Sequence, residues 1–445
     1  MDTHAKEGQA SGKGKLLSDY YQTRLSQFIE PLLLTLDAVL DSRLVRTLEA
    51  TVICLIRHRH RQHGMLLTEL GEHLADPGHA PAGTKRLSNL LRSPNWRGQE
   101  IKEFILGKSV LLAQTWRQKG RRPLLMYDDS VVEKPESFAA EGLGAVRSSK
   151  SKRLTKIKPG YYVPPVKGTV HVPGFQWIGV VLSALGVAPQ LVAMEWWTTR
   201  GDHASDGKTE RESLFRNLCA RFFDAVHVFD RGFAGAPWLH TLFDCRAEFI
   251  LRWNSTYFLS NEKGEKKKAW QIAMGKKAMG GKLIWDARRK KRRYLQILYL
   301  PVRHPEFPEK PLTLVVSKPG KGMKPWYLLT NMAIEKLQNA WFVVHAYARR
   351  WDIEFAFRFC KSELALESPR LWFWDNRLKF MQLVALTFAF LLALLHSTPN
   401  AIRNVLLNCW CKRTGEGYRR AAVPLYRIRL ALAHLWNFQV SQSSG

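Results

Sequence analysis

Acidic side chains are scarce in this chain. Its 445 residues carry 38 Asp and Glu against 68 Lys and Arg, a formal charge of +30. A surplus of that size calls for an anionic partner, and a polyphosphate is the obvious one. Cysteine is scarce too, and apart from Cys409 and Cys411 the six copies are scattered, with no second pair or His cluster at zinc-ligand spacing. That excludes a disulfide framework or a zinc ribbon and leaves reduced thiols of a cytoplasmic protein as the expectation. No long hydrophobic run is present. The longest, Phe380 to Leu395, contains Gln382 and falls short of a membrane span, so it is expected to be a buried helix. The polar start MDTHAKEGQASGKGK has no apolar signal core and is expected to be a disordered tail. The Gly/Lys stretch SKPGKGMK lacks P-loop spacing, which leaves no nucleotide cofactor to expect. The alternation Arg57-His58-Arg59-His60-Arg61 would repel a cation rather than bind one. There is no internal repeat and no heptad pattern.

What the chain does have is 46% apolar residues, enough for a large core and more than one domain. It also has the run HAYARRWDIEFAFRFCKSELALE, in which Tyr347, Arg350, Glu354 and Lys361 recur at steps of three, four and seven. At about 100° per residue on one α-helix, with Tyr347 at zero, Arg350 falls near 300°, Glu354 near 340° and Lys361 near 320°. A single stripe about 60° wide therefore carries a carboxylate, two cations and a phenol. Apolar residues flank it, Trp351, Phe355 and Phe359 on one side and Ile353, Phe357 and Leu364 on the other. Such a helix is expected to be wedged into a core with only its charged edge open. Taken alone, the stripe would read as an amphipathic edge with solvated charges.

The spacing Tyr-x2-Arg-x3-Glu-x6-Lys resembles the signature of bacterial insertion-sequence transposases of the DDE class. That resemblance implies that Glu354 is the third acid of an Asp, Asp, Glu metal triad, with two aspartates upstream at strands. Both candidates are present. RRPLLMYDDSVVEKPES reads as a short strand, Leu124 to Tyr127, running into Asp128-Asp129-Ser130; the family places its first acid before a small hydroxyl residue, which selects Asp129 and makes Asp128 its neighbour. DAVHVFDRGFAGAPW reads as a strand ending at Asp230, a Gly-rich turn and a helix from about Pro237, and its Asp-Arg-Gly matches the family's second acid. Alone, each aspartate would read as a cap or a turn residue.

The implied chemistry accounts for the residue types. In-line phosphodiester cleavage is assisted by two divalent ions about 4 Å apart, and hard carboxylate oxygens suit Mg²⁺ or Mn²⁺. Tyr347, Arg350 and Lys361 are then expected to face the DNA backbone, the Arg by a fork and the Lys as a point charge. In relatives with an insertion between the second and third acids, a Trp in a Trp-x-Leu-Leu-Thr context stacks on a base flipped from the transposon end. Trp326 in KPWYLLT matches it, and a core role is its competing reading.

The fold expected is mixed α/β. Three strands, a helix, a fourth strand and a late acidic helix follow the order of the ribonuclease-H-like core, placed at 120–254 and 327–370. Between them, 255–326 is expected to be an inserted β-rich subdomain, with basic turns at Lys266–Lys268, Lys276-Lys277 and Arg288–Arg293 as a DNA track. A basic loop at 147–165 could also hold DNA. Residues 1–16 are assigned to the tail and 17–110 to a helical end-binding domain. In that domain a helix-turn-helix pattern spans 65–74 and 84–93, and Lys85 and Arg86 would touch DNA. Residues 371–445 are expected to be helical and to help pair two protomers. The reading is a transposase that binds inverted-repeat ends as a homodimer, cleaves them and joins the 3′ hydroxyl to target DNA, without membrane or nucleotide. Its alternatives are a nuclease or junction resolvase that joins no strands, and a catalytically decayed DNA-binding protein.

Overall fold

The computed structural model describes residues 2–58, 66–134, 137, 139–148, 169–286, 291–320, 323–413, 415–419, 421 and 423–443. The helices are α1 (Asp2–Asp37), α2 (Ser42–Arg57), α3 (Leu67–Leu74), α4 (Ala80–Arg92), α5 (Gln99–Gln118), α6 (Gly207–Arg221), α7 (Ala236–Asp244), α8 (Ala269–Ala273), α9 (Leu337–Ala348), α10 (Trp351–Ser362), α11 (Trp374–Ser397), α12 (Asn400–Trp410), α13 (Glu416–Arg419) and α14 (Leu425–Ser443). The strands are β1 (Leu124–Glu133), β2 (Gly144–Arg147), β3 (His171–Ser183), β4 (Gln190–Trp197), β5 (Val226–Phe229), β6 (Glu248–Arg252), β7 (Phe258–Ser260), β8 (Lys266–Lys268), β9 (Gly280–Asp286), β10 (Lys291–His304), β11 (Phe307–Lys318) and β12 (Trp326–Thr330).

One mixed sheet organises them. β3 pairs antiparallel with β1 and β4, β1 runs parallel to β5, and β5 runs parallel to β6. This meander followed by two parallel strands is the ribonuclease-H-like arrangement. β12 adds antiparallel to β6, and β11, β10 and β9 follow in turn. The β-rich insertion thus extends the core sheet instead of forming a separate one.

Both faces of the sheet are covered, so the first half of β1, Leu124 to Tyr127, reads as an unbroken apolar run rather than an alternating one, and the only polar residue of β5, His227, is buried. Leu124, Met126, Val226 and Val228 face the side that holds α9, α10 and α11. Leu125, Tyr127 and Phe229 face the side of α6 and α7, against Phe215 and Trp238. A Cβ on Gly179 of β3 would come within 2.4 Å of Phe357; its absence lets α10 lie directly on the strands. The apolar run 380–395 lies within α11, which is long and apolar enough to cross a membrane but is mostly buried, packed in cis against α2, α4, α5, α14 and β4.

Three expectations change. The polar start is helical here as the first part of α1. β1 continues through Glu133 because Ser130 to Glu133 stay paired with β3, so the two acids sit within a strand rather than at its end. The stripe from Tyr347 to Lys361 is divided between two helices. Arg349 and Arg350 keep αR angles, but the Arg349 amide is shared between the His345 and Ala346 carbonyls (3.3 and 3.1 Å) and the Arg350 amide bonds three residues back to Tyr347 O (3.0 Å), a local 3₁₀-like tightening. The turn is tied to β3, since Arg349 and Asp352 both hold the Ser183 hydroxyl, at 3.0 and 2.8 Å, and pair with each other. Most of the basic loop at 147–165 and part of the Arg288–Arg293 turn lie outside the described residues.

Candidate active site

β1 and β5 pair in parallel with Tyr127 opposite Phe229, which brings the next residues, Asp128 and Asp230, side by side at the same end of the sheet. Because side chains alternate across a strand, both acids share the face of Met126 and Val228, beneath α10. Glu354 stands in the first turn of α10. Arg350, only 5% exposed, joins two of them, its guanidinium reaching Glu354 Oε1 at 2.5 Å and Asp128 Oδ2 at 3.4 Å. Tyr347 donates its hydroxyl to Asp230 Oδ1 at 3.3 Å, and that oxygen also accepts from the Arg231 amide at 2.6 Å. Arg252, at the end of β6, stands 4.0 Å from Asp230.

The electrostatics are those of crowded, half-buried acids. Burial pushes the Asp128 carboxyl up to about 7; Arg350 opposes the rise, and Asp230, Glu354 and Asp129 add to it. Burial and then the Asp230 charge raise the Tyr347 phenol to about 12. For Arg350, burial works against the charge, but Tyr347, Asp230 and Glu354 outweigh it and hold the guanidinium above its ordinary value.

Asp129 is not in this group. It points to the opposite face, where Arg211 of α6 holds both its oxygens, at 3.2 and 2.9 Å. Burial raises its carboxyl, and Arg211 counteracts that. The Arg211 guanidinium also lies over Trp197 and Phe233, 5.7 and 5.9 Å from their ring centres. The hydroxyl-neighbour pattern picks Asp129, whereas the pairing of β1 with β5 brings Asp128 to Asp230 and Glu354.

The other expected site residues divide. Trp326, at the start of β12, is half-buried and meets the Tyr347 ring edge-on at 5.0 Å and 70°, so an aromatic pair borders Asp230. Lys361 is not joined to Glu354; its ammonium binds the Val131 carbonyl (2.7 Å) and Glu367 (2.9 Å), fastening the end of α10 to β1. Lys85 and Arg86 stand exposed on α4 among the N-terminal helices, Arg86 reaching the Leu74 carbonyl at 3.5 Å. Sequence reasoning passed over Arg252 and Arg211. Arg252 could have been found as the basic residue closing the parallel strand next to β5, since sites gather at such strand ends.

Among the described residues, no three His, Cys, Asp or Glu side chains converge as a ready cation cage, because Arg350 lies between Asp128 and Glu354.

Residues 200–389 match the model of one family, described as the transposase DDE domain. That segment therefore carries a transposase DDE domain, and the mixed sheet is compatible with the DDE transposase class that the match supports. The matched segment contains Asp230, Trp326, Tyr347, Arg350, Glu354 and Lys361 and begins after β1, so the placement of Asp128 rests on the sheet alone. No curated protein matches the chain.

Proposed function

We propose that the protein binds the inverted-repeat ends of a mobile element, cleaves them by metal-dependent hydrolysis and joins the freed 3′ hydroxyl to target DNA. The observation that carries this reading is the alignment of Asp128 and Asp230 on neighbouring parallel strands beneath Glu354. Three carboxylates on one face, one of them pushed up to about 7 by burial and by its acidic neighbours, suit hard divalent cations better than they suit each other. Asp128, Asp230 and Glu354 would hold Mg²⁺ or Mn²⁺, two ions in the reading carried here. Such ions supply an activated water and stabilise the leaving oxygen.

The chain's own residues prepare that site. Arg350 neutralises Asp128 and Glu354 before DNA arrives, and its fork is suited to exchange a carboxylate for a phosphate oxygen. Tyr347 orients Asp230 and carries Trp326 against its ring, which offers a stacking surface next to the acids. Lys361 keeps α10 seated on β1, so its part is to position Glu354. Lys85 and Arg86 on α4 supply backbone contacts for end binding. With α11 consumed in cis, a homodimer would form through other surfaces.

The test compares neighbouring residues. Asp128→Asn, Asp230→Asn and Glu354→Gln should each cut Mg²⁺-dependent nicking of an end-containing duplex by orders of magnitude while leaving binding intact, whereas Asp129→Asn should keep most of it. Near-normal nicking by Asp128→Asn together with loss in Asp129→Asn would return the first acid to Asp129. A stand-alone nuclease with the same cluster would nick but give no strand-joined product.

A further inference from the structure

The face that carries the acids leads on to a second built surface. Side chains alternate along β1, so Asp128, Val132 and Lys134 share one side, that of α10, and Lys134 stays in register through its amide on the Pro173 carbonyl (2.7 Å). The edge of α10 that begins at Glu354 continues one turn later with Arg358, which is exposed, and passes Lys361. It ends at the loop 363–373, which two buried cations hold from within. Lys134 donates to the carbonyls of Glu367 and Pro369 (2.8 Å to the second), and Arg377 of α11 donates to those of Glu141 (3.0 Å), Leu371 (2.9 Å) and Trp372 (3.2 Å). With those carbonyls turned inward, Arg370, Trp372 and Phe373 stand outward, the two rings 57% and 53% exposed.

Position and charge say what this loop could meet. Lys134 is the sixth residue after Asp128, about 20 Å on at about 3.3 Å per residue. A duplex laid across the acids and along α10 therefore reaches the loop about six base pairs from the cut, at about 3.4 Å each. Arg147 joins from the sheet edge: β2 pairs Ala145 with Pro173, so Ala145 and, two residues on, Arg147 lie on the Lys134 side. Arg147, Arg358 and Arg370 are exposed and have no ion-pair or hydrogen-bond partner among the described residues. The carboxylates nearby are engaged, Glu141 with the Trp374 amide (2.7 Å) and His203 (3.5 Å), Glu367 with Lys361, and Glu133 with the Ser148 hydroxyl; Asp375 is the exposed exception. A cleft of about 390 Å³ between the loop and 137–143 has no carboxylate in its lining among the described residues.

We propose that the loop 363–373 is a DNA clamp about six base pairs from the cut, in which Arg370 holds a backbone phosphate and Trp372 packs on the adjoining sugar. Contacts to phosphate and sugar fix register and orientation on a duplex, and a clamp fastened to β1 through Lys134 fixes that register relative to Asp128. The two buried cations set the loop before DNA arrives, so little ordering is left to oppose binding. A neutral protein partner would suit the two rings but not three unpaired arginines. The phosphate belongs either to the transposon end or to the flanking DNA, and the side of the cut on which it lies tells them apart. The inference rests on the transposase reading.

The experiment maps phosphate-ethylation interference with the full chain carrying Glu354→Gln, so that no cleavage intervenes. The probe is a duplex holding one inverted-repeat end and its flank, with the cut located beforehand by the unmutated chain and Mg²⁺. Ethylation about six base pairs from the cut should block binding by the parent and cease to matter when Arg370→Ala is added. Interference on the repeat side assigns the phosphate to the transposon end, and on the other side to the flank. Arg370→Ala should also lower the log–log salt slope by about one phosphate equivalent, and Arg370→Lys should restore it. Trp372→Ala should weaken binding and Trp372→Phe regain most of it. Melting temperatures should not change, since both side chains are exposed. In the cleaving chain, Arg370→Ala should spread nicks over neighbouring phosphodiesters. An unchanged map and salt slope in folded Arg370→Ala overturn the proposal, and so does a halved oligomeric mass of the Trp372→Ala variant with the map intact, which would make the loop a contact between copies. A Glu354→Gln parent that binds the end no better than unrelated DNA sinks the transposase reading instead.

Discussion

Asp128 and Asp129 are chemically identical neighbours on one strand, yet they live in opposite environments. On the α10 side, Asp128 shares its face with Asp230 and Glu354, and one buried guanidinium stands against three carboxylates. On the α6 side, Asp129 has a guanidinium to itself, gripped at two oxygens and backed by Trp197 and Phe233. The first face stores like-charge repulsion that an added cation would relieve; the second is already neutral and has nothing to gain from one. What decides between them is the pleat, fixed by the pairing of β1 with β5, rather than the sequence around either acid.

The strongest way to break the comparison, after exchanging the acids themselves, is to remove each face's arginine. Arg350→Met leaves a half-buried acid cluster uncompensated and should cost about 3–5 kcal/mol, the range for breaking a buried pair from one side. Arg211→Met removes a partly exposed cation and should cost no more than about 1 kcal/mol. Added Mn²⁺ should recover stability in Arg350→Met and do little for Arg211→Met. Thermal melts with and without the ion check this, and an equal response in the two variants would contradict the assignment of the cation to the Asp128 side.

A second contrast lies in pH. Beneath the Asp129 face, His227 is fully buried, its ring accepting from or donating to the Tyr127 hydroxyl at 2.9 Å, and burial lowers it to about 3. Between about pH 6.5, where an unfolded His takes up its proton, and pH 3, the folded state refuses that proton. Stability is therefore complete above pH 6.5 and is lost as pH falls toward 3, by at most about 1.4 kcal/mol per unit. His227→Gln should flatten that slope in denaturant titrations run from pH 7 to pH 4. An unaltered slope would mean that other groups govern the acid response.

Much of this was legible in the sequence because it is local. Asp230 is announced by an apolar strand and a glycine turn, Glu354 by the stripe on its helix, and the β-rich insertion by apolar runs between charged turns. The choice between Asp128 and Asp129 was not legible, because a strand buried on both faces shows no alternation: Leu124 to Tyr127 are all apolar, and parity appears only when β5 is laid beside β1. The break between α9 and α10 was hidden for a similar reason. No proline or glycine marks it, and the contacts that hold it run from Arg349 and Asp352 to Ser183, more than 160 residues away. Lys361 kept its place on the helix but found its partners on β1 and at Glu367, which no helical angle could show.

The smallest effect expected sharpens the acid face from its rim. Trp326 is half-buried, and its main aromatic contact is the edge of Tyr347, whose hydroxyl holds Asp230. A fully buried Trp replaced by Ala would cost about 3–5 kcal/mol of stability. Trp326→Ala, with one ring face open, should cost less than that and leave first-strand nicking near normal, because Asp230 keeps the Arg231 amide. If the open face receives a base displaced after nicking, the variant should lose about 1–3 kcal/mol of stacking and accumulate nicked product at the expense of double-strand breaks or hairpins, while Trp326→Phe recovers most of the yield. Parallel loss of melting temperature, nicking and second-strand products would make Trp326 a packing residue that supports Tyr347.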